Sequence, residues 1–193
     1  MKKLLFAAVL CSSLCFTAKA QSKFSLGPNA GVGHSWISKT DNAKFKLAAN
    51  AGLSMVYSAT EHIGVGLDAK YSYEGLKAGS SPVKGSLDLN YFRFPLKAIY
   101  FFNNYGDELR PKIFAGPSFG FLSSAKLNNA DIKNLYNSSD FGITAGVGFN
   151  YRLVKNSWFT ADLSYLHGIS KISKNGNNHN RNIGVNAGVN FGL

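Results

Sequence analysis

Histidine and serine are the residue types in this 193-residue chain that could carry out hydrolytic chemistry, because a histidine base can activate a serine hydroxyl. His34 directly precedes Ser35, but adjacent residues of an extended strand point to opposite faces, so this pair cannot meet in regular geometry. His167 and His179 lie toward the same predicted rim as His34, and His62 lies toward the other rim. The sequence therefore predicts no catalytic residues and a protein that is not an enzyme.

Metal and cofactor sites are not indicated either. No group of histidine, aspartate and glutamate residues has the spacing of metal ligands, and the polar run 175–180 has the composition of a loop. Glycine pairs at 64/66 and 146/148 lie within strand patterns that no helix follows, which argues against phosphate loops. We expect no metal and no cofactor.

The N-terminal residues have the pattern of an export signal. Lys2 and Lys3 precede an apolar stretch at 4–16, and an A-x-A cleavage site follows at 18–20. The sequence predicts a cleaved signal peptide at 1–20 and a single domain at 21–193. Cys11 and Cys15 both fall within the predicted signal, and leucine rather than a small residue precedes each, which disfavours a lipoprotein. We expect no disulfide in the mature chain.

The mature chain is basic. The formal net charge is +11, of which Lys2, Lys3 and Lys19 lie in the signal, which leaves +8. Export argues against nucleic acid as the partner of this charge and leaves an anionic lipid surface or solubility. No apolar run after residue 20 approaches the roughly 18 residues of a transmembrane helix. A mature chain that crosses a membrane must therefore do so as a closed barrel.

Alternation of apolar and polar residues predicts eight strands. In 183–193 every odd position is apolar, and only glycine or asparagine lies between. We expect this segment to pair with the first strand and close the barrel, with its apolar face toward lipid. The predicted strands are 24–36, 47–57, 63–74, 87–102, 112–122, 141–152, 158–169 and 183–193.

Two features disturb the alternation. In the fourth segment Leu87 and Leu89 are odd whereas the later apolar residues are even, which predicts a β-bulge near Tyr91. Pro28, Pro95 and Pro117 lie within strands, where each removes a ladder donor, so bulges or kinks are expected there.

The predicted connections alternate in length along the chain. Those at 58–62, 103–110 and 154–157 are short, and those at 37–46, 75–86, 123–140 and 170–182 are long. The pattern predicts an all-β, eight-stranded antiparallel up-and-down transmembrane barrel with short periplasmic turns and long extracellular loops.

The polar face consists mostly of glycine, asparagine and serine, which suits a narrow lumen better than a water-exposed surface. Charged residues punctuate this face, and we expect them to form ion pairs inside the barrel. Arg93 and Lys97 are expected to pair with Asp68 and Glu74 on the neighbouring strand. An interior this narrow favours a packed core over a pore. The candidates are Asp68, Lys70, Glu74, Arg93, Lys97, Lys112, Arg152 and Asp162.

Aromatic residues cluster toward both ends of the predicted strands, with small aliphatic residues between them. Trp36, Tyr71 and Phe92 are examples near the long-loop end, and Tyr57 and Tyr100 near the short-turn end. Two aromatic girdles around an aliphatic band are typical of outer-membrane barrels, whereas a soluble core gives no reason for clustering at strand ends.

Short motifs carry a family resemblance. Asn186, Gly188, Phe191 and Leu193 resemble the C-terminal signal read by barrel-insertion machinery, although Leu193 stands where an aromatic residue is commoner. The segments 91–97, 115–117 and 162–168 resemble the small outer-membrane β-barrel family of Bacteroidetes, which includes PorT-like and porin-family proteins. The resemblance implies a location in the outer membrane more than an activity.

The long loops are the remaining functional surface. Those at 37–46, 75–86 and 170–182 each carry net positive charge, which suits anionic lipopolysaccharide. We expect a non-enzymatic outer-membrane barrel with a structural, surface-interaction or envelope-maintenance role. The expected partners are outer-membrane lipid, lipopolysaccharide, the insertion machinery and an unidentified protein, without nucleic acid. A narrow porin and a lipid-modifying enzyme are the alternatives.

Overall fold

The chain forms a closed antiparallel β-barrel of eight long strands. The computed structural model describes residues 23–38, 43–44, 46–80 and 83–193, so the predicted signal peptide lies outside the described residues. Each long strand pairs with the next, and the last pairs with the first, which confirms the predicted fold. The strands are β1 (Phe24–Ser38), β3 (Lys46–Ser58), β4 (Ile63–Ser80), β5 (Val83–Phe101), β6 (Leu109–Leu127), β8 (Ser139–Val154), β9 (Ser157–Gly168) and β10 (His179–Gly192).

Three small elements lie at the rim that carries the longer connections, which we call the long-loop rim. The two-residue strand β2 (Ala43–Lys44) pairs with β4, and β7 (Ala130–Asp131) pairs with β6. Asn128 and Asn129 form the β6–β7 turn with φ angles of 48° and 72°, which asparagine tolerates better than most residues. A 3-10 helix (Lys133–Leu135) follows. The connections at the opposite, short-turn rim are shorter.

The two faces of the wall follow the predicted alternation. Val32 and Val185 pair across β1 and β10 on the outer face and are 62% and 54% exposed. Asn190 of β10 faces inward and is buried. Outward aromatic rings meet between neighbouring strands at both rims, as in Tyr71–Phe92, whose centroids lie 5.2 Å apart, and Phe24–Tyr57, at 5.1 Å. The prediction that the apolar face points outward is confirmed.

The connection predicted at 75–86 is wrong, because β4 and β5 continue as a paired hairpin to Ser80 and Val83. Above Tyr73 the apolar residues move to the inner face, so that Leu76, Leu87 and Leu89 are buried inside the barrel. The hairpin extends four residues beyond Leu87, the last residue of β5 that pairs with β6, which is about 13 Å at 3.3 Å per residue.

The bulge predicted near Tyr91 is present, but it lies on the partner strand. Asn90 pairs with Ser124 and Tyr91 with Leu122, so the extra residue is Ser123 of β6. Strand β5 keeps the same odd residues inward on both sides of this point. The apolar pattern of β5 changes because its surroundings change, and not because the strand rotates.

The three prolines do not shift the register. The pairs on either side of Pro95, Leu67–Leu96 and Lys70–Arg93, are in the same register. The other irregularity lies between Arg152 and Val154, at the short-turn rim. The predicted bulges at the prolines are therefore wrong, and the local kinks expected as their alternative stay a prediction.

No helix in the described part of the chain has the length and apolar character needed to cross a membrane.

Candidate functional site

An apolar cluster fills the lumen at the short-turn end, and we call it the lower cluster. It consists of Val56, Ile99, Phe101 and Phe114, all buried and all on the inner face. The Arg110 guanidinium lies 4.0 Å from the centroid of the Phe101 ring, a cation–π contact. These side chains close the lumen toward the short-turn rim.

A band of paired charges lies above the lower cluster. Lys97 Nζ is 2.9 Å from a carboxylate oxygen of Asp68, and Lys70 Nζ is 3.4 Å from the same carboxylate. Asp68 also accepts a hydrogen bond of 2.8 Å from the Ser54 hydroxyl. On the other side of the lumen, Lys112 Nζ lies 2.8 Å from Asp162. The two groups pair buried charges from β4, β5, β6 and β9.

A second charged cluster lies closer to the long-loop rim. The Arg93 guanidinium bonds Glu74 through Nε and through Nη2, the latter at 2.6 Å, and Nη2 also lies 2.8 Å from Asp140. Ser170 Oγ and Asn180 Nδ2 donate to Asp140 at 2.8 and 2.9 Å. One guanidinium therefore bridges two carboxylates from different parts of the barrel.

Gly120 leaves room for the contact between Arg93 and Asp140, which spans two strand intervals. Arg93, Gly120 and Asp140 form one cross-strand row on β5, β6 and β8. A Cβ on Gly120 would lie 2.8 Å from Arg93 Nη1. The missing side chain leaves the space through which Arg93 reaches Asp140.

A second apolar cluster, the upper cluster, fills the lumen at the long-loop rim. It is built from inward residues of four wall strands together with Ile172 of the β9–β10 loop, which is buried. Loop backbones hold Ile172 in place, since Asn137 N donates to Ile172 O at 2.8 Å. Tyr136 packs against the cluster, and burial raises the pKa of its phenol. The upper cluster is Ile37, Leu76, Leu87, Leu89, Tyr91, Leu122, Ala125 and Ile172.

Two small cavities lie in the polar region between the clusters. One has a volume of about 20 Å³ and the other about 50 Å³, enough for a water molecule and for a few waters. Buried oxygens of Asn29, Ser118 and Asn186 line them without a protein hydrogen-bond partner. Polar cavities of this size suit bound water better than solute passage.

Seven of the eight lumen candidates lie in these charged groups, but Arg152 does not. Its side chain is exposed at the short-turn rim, so its predicted place in the lumen is wrong. Arg152 pairs with Trp158 in the register of the preceding residues, but it lies at the end of β8, beyond the packed part of the lumen.

Sequence reasoning missed Lys46 and Asp140, which it assigned to loops. Lys46 is buried, pairs with Asp88, and donates to Leu87 O at 3.0 Å. Each is the residue just before a predicted strand and shares the parity of that strand's inward residues. Extending each alternation by one residue toward the long-loop rim would have found both.

The hydroxyl groups of Ser35 and Ser170 donate to partners other than a histidine ring. Ser35 is buried and donates to Gly75 O at 2.9 Å, whereas His34 lies on the exposed outer face. His179 Nδ1 lies 2.9 Å from the main-chain oxygen of Ser170, and the Ser170 hydroxyl donates to Asp140. His62 Nδ1 lies 3.0 Å from Phe101 O at the short-turn rim.

The predicted insertion-signal residues all lie on β10 or just after it. Asn186 and Gly188 face inward, and Asn186 Nδ2 donates to Ser164 Oγ at 3.2 Å. Phe191 points outward opposite Leu26, and Leu193 N donates to Phe24 O at 3.0 Å. Their arrangement completes the predicted closure of β10 onto β1.

Among the described residues, no three histidine, cysteine, aspartate or glutamate side chains group as metal ligands would.

Solved structures with the same fold are outer-membrane proteins. Neisserial surface protein A (NspA) is 18% identical, with a TM-score of 0.63 over 91% of this chain and 100% of that one. OprG from Pseudomonas aeruginosa is 15% identical, with a TM-score of 0.61 over 88% and 95%. The outer-membrane enzyme PagL is 14% identical, with a TM-score of 0.52 over 83% and 97%. At these identities the likeness extends to the fold alone.

No curated protein matches the sequence. The profile of a domain family does match, over residues 19–174, which is most of the chain. A closed eight-stranded wall with an apolar outer face and a polar, charge-paired interior agrees with that match. The chain therefore belongs to the outer membrane protein beta-barrel domain family and is an integral barrel of the Gram-negative outer membrane.

Proposed function

We propose that this protein is a non-conducting, non-enzymatic barrel that acts at the cell surface through the structured rim of its long loops. The role is structural, surface-interacting or envelope-maintaining, and the partners are lipopolysaccharide or an external protein. The observation that carries the proposal is the packing of the lumen, which apolar clusters fill at both ends.

A sealed lumen argues against the narrow-porin alternative. A solute would have to displace the lower cluster, separate the charge pairs around Asp68 and Arg93, and then displace the upper cluster. Each step exposes buried apolar surface or unpairs a buried charge, and breaking one buried ion pair alone costs about 3–5 kcal/mol. These side chains make the barrel a stable support rather than a channel.

The long-loop rim supplies an exposed and basic surface. The tall β4–β5 hairpin, β7 and the 3-10 helix project beyond the upper aromatic girdle. Several exposed side chains of the long-loop rim are lysines, and phosphates of the outer leaflet attract such charges by about 1 kcal/mol each. The exposed lysines are Lys77, Lys126, Lys133, Lys171 and Lys174.

The enzyme alternative receives no support from the serines described above. A hydrolytic serine needs a histidine nitrogen within hydrogen-bonding reach of its hydroxyl. Ser35 and Ser170 instead donate to Gly75 O and to Asp140. We therefore expect lipid profiles to be unchanged by H34A and H167A, and a lost lipid product in either variant would favour the enzyme.

Planar-bilayer recording tests the sealed lumen directly. We expect the purified, folded barrel to be electrically silent in a membrane where a general porin, as the positive control, conducts. Stable unitary steps from the folded protein would refute the proposal and favour the porin. Heat-modifiable migration on gels verifies that the silent sample is folded.

The surface role is tested by binding to vesicles that contain lipopolysaccharide. Replacing Lys133, Lys171 and Lys174 together with glutamine should weaken binding and reduce its salt dependence. A triple variant that binds as tightly as the wild type would contradict a basic contact surface.

We also propose that the chain belongs to the PorT-like branch of Bacteroidetes barrels. The support is the three segments at 91–97, 115–117 and 162–168. An alignment of the wider family tests this, because the branch should share these segments and other branches should not.

A further inference from the structure

One group of polar side chains lies on the lipid-facing side of the wall and has no part in the lumen. Trp36 of β1, Arg181 of β10 and His167 of β9 occupy one cross-strand row, because Arg181 pairs with both neighbours. Tyr165 completes the group, with its ring centroid 6.1 Å from that of Trp36 and 6.2 Å from that of His167. The group lies within the aromatic girdle of the long-loop rim.

Arg181 is held on the outer surface by the main chain. Its Nη1 donates to Gly168 O at 2.6 Å and to Asn180 O at 3.0 Å. These bonds fix the guanidinium to the wall, while three of its five donors belong to Nε and Nη2. Toward the middle of the wall, the next outward residues of β10 are Ile183 and Val185, 42% and 54% exposed.

Among the residues that the structure describes, no carboxylate pairs with Arg181 on this surface. Strands β1, β3 and β10 contain no acidic residue. Asp140 of β8 and Asp162 of β9 face the lumen, where Arg93 and Lys112 pair with them. Within the described residues Arg181 forms no ion pair, so a fixed cation faces the membrane at the level of the head groups.

We propose that Trp36, Tyr165, His167 and Arg181 form a binding site for the phosphate of an anionic glycolipid in the outer leaflet. The guanidinium donates charge-assisted hydrogen bonds to the phosphate oxygens, and His167 lies beside it as a second donor. Trp36 and Tyr165 border the head group, as interfacial aromatic residues do. The acyl chains lie along Ile183 and Val185.

The apolar surface directly below the cation identifies a lipid rather than free phosphate as the ligand. A phosphate ion would gain only the polar contacts, whereas a phosphorylated lipid also covers Ile183 and Val185. This inference rests on the proposed contact with lipopolysaccharide and assigns part of it to one site on the wall. It differs from the loop contact because it requires no loop lysine.

Native mass spectrometry of the full-length barrel in detergent tests the site. The probes are lipid A with two phosphates, the same lipid with its phosphates removed, and inorganic phosphate. We expect R181Q to bind diphosphoryl lipid A about fivefold more weakly than the wild type, since one interfacial cation contributes about 1 kcal/mol. K155Q, which removes an exposed charge at the opposite, short-turn rim, should change binding less than twofold.

Two further variants keep the test independent of folding. R181K retains the charge and should retain most of the binding, and W36A should weaken lipid binding with Arg181 intact. Heat-modifiable migration verifies the fold of each.

Several results would overturn the site. They are a loss of binding in R181Q no larger than that in K155Q, equal binding of the dephosphorylated lipid, and displacement of the lipid by millimolar inorganic phosphate. A loss in R181Q no larger than that in K155Q would leave the loop contact standing, whereas a wild type that binds no form of lipid A would refute both contacts.

Discussion

Removing Arg93 should destabilise the barrel more than removing any exposed charge. Glu74 and Asp140 are each about 1% exposed, and Arg93 is the cation that touches both. In R93M two buried carboxylates lose their counter-ion. The two hydrogen bonds from Arg93 to Glu74 and the hydrogen bond to Asp140 are lost together. Breaking a buried pair in this way costs about 3–5 kcal/mol of the free energy of unfolding.

The assay is urea unfolding of the refolded protein in detergent or lipid vesicles, followed by tryptophan fluorescence and gel migration. With an m-value of about 2 kcal/mol per molar urea, the midpoint should fall by about 2 M. R93K should lose roughly half as much, because an ammonium keeps the charge without the planar fork. K133M, an exposed control, should change stability by no more than about 0.5 kcal/mol.

A double variant separates the lost charge from lost packing. Adding E74Q to R93M removes one of the two uncompensated carboxylates and should restore about 1–2 kcal/mol. The reasoning would be refuted by an R93M protein that loses less than about 1 kcal/mol, or by a double variant no more stable than R93M. Either result would mean that water or rearrangement solvates Glu74 as well as Arg93 does.

Three other substitutions test packing, sealing and assembly. G120V should cost about 1–3 kcal/mol, since its side chain enters the space used by Arg93; A115V, on the lipid-facing side of the same strand, should cost little in the same urea titration. F101A should cost about 3–5 kcal/mol yet leave the barrel silent in planar bilayers, because the upper cluster still closes the lumen; conductance in this variant would mean that the lower cluster alone seals it. F191A should insert more slowly than F149A, an outward aromatic control on β8, if β10 carries the insertion signal; equal folded fractions in a pulse-chase assembly assay would argue against that role.

The strands of the wall and the faces of their side chains were predictable from the sequence. An alternation with a period of two residues assigns successive side chains to opposite faces of a strand. From Ile183 to Gly192 of β10 every outward residue is apolar and every inward one is glycine or asparagine, so pairing with β1 followed from closure alone. Ion pairs between neighbouring strands could be predicted from the sequence for the same reason. Glu74 and Arg93 lie on β4 and β5, which are adjacent both in sequence and in space.

The bond from Arg93 to Asp140 was not predictable in this way. It crosses β6, and its sequence signal is the absence of a side chain at Gly120. Glycines are frequent on the inner face of this barrel, so one glycine does not reveal which long side chain passes over it. Contacts that span more than one strand depend on register and tilt, which alternation alone does not specify.

Along β5 the apolar residues change from the outer face to the inner face, although the alternation of the strand continues. From Phe92 to Phe102 the even-numbered apolar residues point outward, because lipid surrounds the wall, and only Ile99 and Phe101 point inward into the lower cluster. At Leu87 and Leu89 water surrounds the hairpin, and the apolar residues point inward to build the upper cluster. A strand that keeps one orientation can therefore reverse its apolar face where it leaves the membrane. The reversal point, near Tyr91, coincides with the upper aromatic girdle, so that in this barrel the sequence itself marks the level at which the bilayer ends.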